Sequence, residues 1–207
     1  RPIKIGMVSP ETGPIAAFGE ADRFVLSAIR KTLKDGIKVG GQTHPVEIIY
    51  KDSQSNPNRA SEVAAQLINK GRIDIMVAST TSDTTNPVAD QCELNGVPCI
   101  TADDPWQAYF FGRRGKPKVG FEWTYHFFWG FDQVANLFAD MWLTMPSNKV
   151  VATVFTNDPD GIAANGDHGM PPAFRAKGFD VRQLGLYPPH SDDFTAQIRG
   201  FKKNGAD

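Results

Sequence analysis

The chain has 207 residues, with 22 Lys and Arg against 23 Asp and Glu, a formal charge of −1. A composition of 41% apolar and 22% charged residues excludes a disordered chain and supports a buried core. The charge balance gives no electrostatic reason to expect nucleic acid or an anionic membrane surface as partner, and no apolar run reaches the ~18 residues needed to span a bilayer.

Arg1-Pro2 leads directly into a strand predicted over 3–9, as in a mature chain without a targeting segment and equally in a cytosolic one. A helix follows over 16–33, with Phe24, Val25, Ala28 and Ile29 expected on its inward face. Val39-Gly40-Gly41-Gln42-Thr43 reads as a tight hairpin turn before a strand over 46–52. Asn56 and Pro57 have the N-cap and first-turn chemistry of a helix over 58–69. Strands over 73–78 and 98–101 then bracket a helix over 86–94.

A long aromatic and glycine-rich stretch over 101–132 breaks the rhythm, carrying what reads as a solvated basic loop at Arg113-Arg114-Gly115-Lys116. Beyond it come a helix over 132–143, a strand over 149–155, a helix over 163–176, a strand over 181–187 and a helix over 194–204. The last helix ends in Gly205-Ala206-Asp207, where an earlier one, ending near Gly71, is followed at once by a strand. The expectation is therefore a fragment of a longer protein. Alternating strands and helices imply βαβ units, a mainly parallel sheet and ligands at the carboxyl ends of the strands. The break divides the chain into a first lobe, 1–122, and the start of a second, 123–207. A short echo between Gly13–Glu20 and Gly161–Asp167 hints that the two are related.

Enzyme constellations are sparse. No G-x-G-x-x-G follows the first strand, no G-x-S-x-G elbow occurs, and His44, His126, His168 and His190 are scattered without metal-ligand spacing. His168 beside Asp167 reads as a surface turn rather than a metal site. Neither a cofactor nor a metal is expected, and the chain reads as a non-enzyme. Cys92 and Cys99 flank a helix-to-strand turn, so a disulfide and a pair of buried thiols are both open.

Four loops at predicted strand ends carry the binding chemistry. The first runs from Ser9 through Pro14 toward Phe18, and the second is Asp52–Asn56. The third, Ser79 through Thr85, places six hydroxyls and one carboxylate ahead of a helix, more than the single side chain that N-capping uses. Ser79, Thr80, Thr81 and Ser82 are therefore candidate ligand contacts. The fourth loop offers Asp103, Asp104 and Trp106, the indole either stacking on a ligand or packing over the lobe edge.

Ile5-Gly6-Met7-Val8-Ser9 with Thr12-Gly13-Pro14 and Phe18-Gly19, Lys51-Asp52-Ser53 with Pro57, Ser82 through Pro87, Val97-Pro98-Cys99-Ile100 and Asp193-Phe194 together resemble the periplasmic substrate-binding proteins of ABC importers, of the branched-chain amino-acid-binding type. The resemblance implies a two-lobed periplasmic-binding-protein type I fold with doubly wound, Rossmann-like α/β sheets, the second lobe incomplete here. It further implies an exported, periplasmic protein that closes over a small-molecule ligand and docks on a membrane permease without itself spanning the membrane. It carries over Phe18 as the aromatic covering the ligand, Ser82 as a hydroxyl holding a ligand carboxylate, and Asp160 as a contact from the second lobe. Where amino-acid binders have a Thr, this chain has Pro105, after two carboxylates that disfavour an anionic ligand. Phe127 and Phe128 are expected in the second lobe's core, with Trp129 open between core and cleft. The same fold also serves ligand-sensing domains of membrane receptors, and an enzyme with catalytic residues outside this chain is the remaining alternative.

Overall fold

The computed structural model describes residues 1–189 and 191–206, so His190 and Asp207 lie outside the described residues. The first half is built on five parallel strands in the order β4-β1-β5-β6-β7. These are β1 (Ile3–Ser9), β4 (Val46–Asp52), β5 (Ile75–Ser79), β6 (Cys99–Ala102) and β7 (Thr124–Phe127). The expected turn at Gly40-Gly41 does join an antiparallel pair, β2 (Ile37–Val39) and β3 (Gln42–His44), both glycines having positive φ.

Three helices connect the strands: α1 (Ala16–Thr32), α2 (Pro57–Gln66) and α3 (Ser82–Asn95). The Asn56 side chain caps α2 by accepting from the Arg59 amide at 3.0 Å, with Pro57 at the first helical position. α2 runs on into a π-turn, Leu67–Gly71, that ends at left-handed Arg72. α3 stops at Gly96, whose φ of +66° suits a left-handed cap. One face each of α2 and α3 supplies Ala60, Val63, Ala64, Val88 and Cys92 to a core shared with Val8, Met76, Ala78 and Cys99 from the sheet. Cys92 and Cys99 are thus thiols inside that core and not a disulfide.

Three elements differ from the sequence expectation. α1 buries only Gly19 and Leu26, and Phe24, Val25 and Ile29 are exposed, so its inward face is not the one that periodicity picks. α3 begins four residues before Asn86, because Ser82, Asp83, Thr84 and Thr85 form its first turn. The stretch over 101–132 contains two ordered elements: β7 and α4 (Trp106–Gly112). Arg113 directly after α4 is buried, its guanidinium 4.7 Å from the centre of the Tyr109 ring, and so is not part of a solvated basic loop.

The chain forms two compact units. Arg1–Asp104 and Gly115–Phe127 make the first; Pro105–Arg114 and the residues from Phe128 onward make the second. Relative to a single cut after residue 122, β7 sits with the first unit and α4 with the second. The second unit contains α5 (Phe131–Trp142), β8 (Val150–Thr156), α6 (Pro159–Asn165), α7 (Met170–Ala176), β9 (Asp180–Tyr187) and α8 (Thr195–Lys203). β8 and β9 pair in parallel. The single helix expected over 163–176 is two, separated by Gly166–Gly169.

α4 is fastened inside the second unit by buried Gln107. Its amide nitrogen donates to Asp132 Oδ1 at 2.5 Å and its carbonyl oxygen accepts from the Phe131 amide at 2.9 Å. Ala108, Phe131 and Ala164 form one small core there, and Ala135, Ala139, Phe174 and Phe179 another, beside Trp142. Phe127 ends β7 in the first unit with 82% of its surface exposed, which corrects its assignment to the second core; Phe128 is half-buried. Trp129 packs edge-on against Phe131 and stays partly exposed. Among the described residues no helix is long and apolar enough to cross a membrane, and no group of three or more His, Cys, Asp or Glu could hold a metal.

Candidate functional site

In a parallel sheet every strand ends on the same side, so the loops leaving β1, β4, β5 and β6 converge there. Ser9 ends β1, Asp52 ends β4, Ser79 ends β5, and Asp103 follows β6. The Oγ of Ser9 and the Oγ of Ser79, the latter at 3.0 Å, both donate to Oδ2 of Asp22 on α1. Phe18 lies one helical turn before Asp22, two-thirds exposed. Burial raises the Tyr50 phenol above its ordinary pKa, and the negative charges of Asp22 and Asp52 add to this; its contact with Ser9 and the charge of Arg23 oppose it.

The loop between β1 and α1 is held in shape by the end of β4. Asp52 Oδ1 accepts from the amides of Glu11 (2.8 Å), Thr12 (3.3 Å) and Gln54 (2.7 Å), and Oδ2 accepts from the Thr12 hydroxyl at 2.7 Å. The Ser55 hydroxyl donates to the Thr12 carbonyl at 2.6 Å and accepts from the Ile15 amide at 3.2 Å. Gly19 lets α1 approach closely, because a Cβ there would collide with the Pro10 carbonyl oxygen. A cavity of about 450 Å³ lies along the start of α1, lined by Glu11, Ala16, Ala17, Gly19, Glu20 and Arg23. Glu11 and Arg23 pair across it.

The hydroxyl-rich loop after β5 holds two adjacent non-glycine residues in the left-handed region, Thr80 (φ 76°) and Thr81 (φ 46°). Such conformations cost about 1–3 kcal/mol each and concentrate at functional sites. The loop after β6 enforces them: the Thr80 amide donates to the Ala102 carbonyl (3.4 Å) and the Thr81 amide to that of Asp103 (3.3 Å), itself left-handed at φ 57°. Thr80 is 1% exposed, and its hydroxyl, like those of Thr81 and Thr85, has no hydrogen-bond partner among the described residues. A buried polar group left in that state costs about 1–3 kcal/mol, which adds to the cost of the two left-handed threonines.

Of the residues singled out from sequence, the first unit gathers Phe18, Ser79, Thr80, Thr81 and Asp103 at this edge. Ser82 is buried as the first residue of α3. The Asp103 carboxyl is raised above the ordinary range, first by partial desolvation and then by the negative charge of Asp22. Asp104 is fully buried; its carbonyl accepts from Nε2 of His126 at 2.6 Å, and Nδ1 of that ring meets the Thr101 hydroxyl at 2.8 Å.

Trp106 and Asp160 belong to the second unit. Trp106 opens α4, where its amide donates to the Trp129 carbonyl (3.2 Å), its indole N–H to Asp132 (3.3 Å), and its ring tilts against Phe111. Asp160 sits in the first turn of α6, behind the N-cap Asp158, which accepts from the Gly161 amide at 2.8 Å. His168 stacks on Phe111 at 4.1 Å. The residue the sequence reading missed is Asp22, whose one signal is its place four residues after Phe18 on α1.

The chain is similar over residues 2–207 to the family model described as periplasmic binding protein. A Pseudomonas aeruginosa protein named "Leucine-, isoleucine-, valine-, threonine-, and alanine-binding protein" is 37% identical over 100 residues, 48% of this chain and 26% of that one. "Leu/Ile/Val-binding protein homolog 3" of Brucella melitensis biotype 1 is 26% identical over 215 residues, 99% of this chain and 52% of that one. A solved solute-binding protein of an ABC transporter from Rhodopseudomonas palustris HaA2, in complex with p-hydroxybenzoic acid, aligns with a TM-score of 0.78 at 21% identity, over 100% of this chain and 52% of that one. The chain thus spans about half the length of the Brucella relative and of that structure. With its parallel α/β sheet and a match along nearly its whole length, the chain belongs to the periplasmic binding protein family.

Proposed function

We propose that the chain is the ligand-capturing part of an extracytoplasmic solute-binding protein that delivers a small molecule to the permease of an ABC transporter. The observation that carries this reading is the convergence of Ser9 and Ser79 on Asp22, beside the strained Thr80-Thr81 loop and one helical turn after an exposed aromatic, Phe18. Such an arrangement offers hydrogen bonds and an apolar cover, which is what reversible capture of a polar organic solute requires. Acting by binding alone, the protein would release its ligand unchanged. Its relatives named for leucine, isoleucine and valine, and the neighbour holding p-hydroxybenzoic acid, support a small organic solute.

The test is calorimetry of the full-length protein against amino acids, aromatic acids, amines and polyols, with mass spectrometry of the recovered ligand. Saturable 1:1 binding with the ligand recovered intact is expected. Turnover of the ligand, or no binder across the panel, would overturn the reading.

A further inference from the structure

Resting on that reading, we propose that Asp22 and Asp103 make this site a reader of organic cations, so that the ligand's polar head is a protonated nitrogen and not a carboxylate. A serine hydroxyl has one proton to donate, and Ser9 and Ser79 both direct theirs to Asp22 Oδ2. What these two hydroxyls offer a ligand is therefore lone pairs. The amides of Thr80 and Thr81 are also committed, to the carbonyls of Ala102 and Asp103. Neither the two serine hydroxyls nor these two amides is free to donate to a ligand carboxylate, and the unpartnered hydroxyls of Thr80, Thr81 and Thr85 can accept from a cation as well as donate.

Charge points the same way. The basic side chain on the same stretch of α1, Arg23, pairs with Glu11. Asp103, exposed and held in its left-handed turn, has its carboxyl pKa raised first by partial desolvation and then by the negative charge of Asp22, so the two carboxylates repel. A cation between two carboxylates relieves the repulsion, whereas an anion adds to it. Phe18, a turn away from Asp22, supplies an aromatic face suited to a cation with an apolar body. The buried Thr80 hydroxyl, without a partner in the same loop, marks the place as one shaped for a ligand.

The experiment is calorimetry of the full-length protein with 3-methylbutylamine and benzamidine as cations, 4-methylpentanoate and 4-hydroxybenzoate as anions, and leucine as the zwitterion. At least one cation should bind ten times more tightly than either anion, and Asp103→Asn should weaken that binding at least tenfold. Asparagine tolerates a left-handed φ, so this variant keeps the fold; Asp22→Asn, checked by circular dichroism, should act in the same direction. Preference for the anions, a requirement for the leucine carboxylate, or unchanged cation affinity in Asp103→Asn would overturn the proposal while leaving solute binding intact. Failure of all five probes and of the wider panel would instead remove the solute-binding reading beneath it.

Discussion

The hydroxyl of Ser79 donates to Asp22 at 3.0 Å across 57 positions of sequence, tying the end of β5 to the middle of α1. Ser9 donates to the same carboxylate oxygen, so one acceptor holds two strands. Replacing either serine with alanine removes one donor from a half-buried carboxylate and should cost about 1 kcal/mol. Replacing both leaves Asp22 with neither, so the double variant should lose more than the sum of the two. Urea denaturation of the four proteins measures the coupling, and strict additivity would show that Asp22 finds other partners.

Phe18 is a large aromatic residue that contributes little to the first unit's core, being two-thirds exposed. Phe18→Ala should therefore leave the urea midpoint nearly unchanged, within about 0.5 kcal/mol, as is usual for surface positions. Ligand affinity should fall at least fivefold if the ring covers the bound solute. Unchanged affinity would remove Phe18 from the site.

Glu93, near the end of α3, uses both carboxylate oxygens on backbone: Oε1 accepts from the Glu122 amide at 2.7 Å and Oε2 from the Trp123 amide at 3.0 Å. It thereby sets the entry to β7. Glu93→Ala should destabilise by about 1–2 kcal/mol, in line with loss of hydrogen bonds to a charged group. Hydrogen exchange at the amides of residues 122 and 123 should accelerate well beyond that at the centre of β5. A uniform change across the sheet would contradict a local clamp.

At the amino ends of β1 and β5, Arg1 forks onto Asp74, with contacts of 2.5 and 2.9 Å, and the Lys4 amide donates to the same carboxylate at 2.9 Å. The Arg1 hydrogen bond, followed by that of Lys4, lowers the Asp74 pKa to about 2 from an ordinary 3.8. A depressed carboxylate stabilises the fold above its unfolded pKa, and that contribution drains away as pH falls from about 4 toward 2. Asp74→Asn should flatten the stability profile in this window and leave the slope above pH 5 unchanged. Urea midpoints at pH 2.5, 4 and 6 decide it. The pair is exposed, so the effect should shrink in high salt.

The sheet was legible from residues such as Ile3–Ser9 and Val46–Asp52, because β-branched runs between turn residues leave few alternatives. Asn56 and Pro57 marked a helix start through chemistry that acts locally. The first turn of α3 was hidden because its buried residues are Ser82, Thr84 and Thr85, which carry no hydrophobic signal; Thr84 instead bonds back to the Thr80 carbonyl at 2.6 Å. α4 was hidden for a related reason, since its anchor is the polar Gln107, satisfied by Asp132 and Phe131, which lie 24 or more residues away. Much the same holds for the site. Ser79, Thr80 and Asp103 stand out in loops, whereas Asp22 sits within a helix and gains its meaning only when Ser9 and Ser79 reach it.

Cys92 on α3 and Cys99 at the start of β6 are both wholly excluded from solvent, in a core with Val63, Leu67 and Val88. Seven residues apart and flanking a tight turn, they satisfy a spacing argument for a bridge, yet each side chain serves as a small apolar filler of the layer between helix and sheet. Two consequences separate thiols from a disulfide. The native protein should react with neither cysteine under a maleimide or an aromatic disulfide reagent, and both should label once guanidinium unfolds it. A reductant should leave the thermal midpoint unchanged, since there is no cross-link whose loss would release chain entropy. A mass 2 Da below that of the reduced chain, or a midpoint that falls on reduction, would establish the bridge instead.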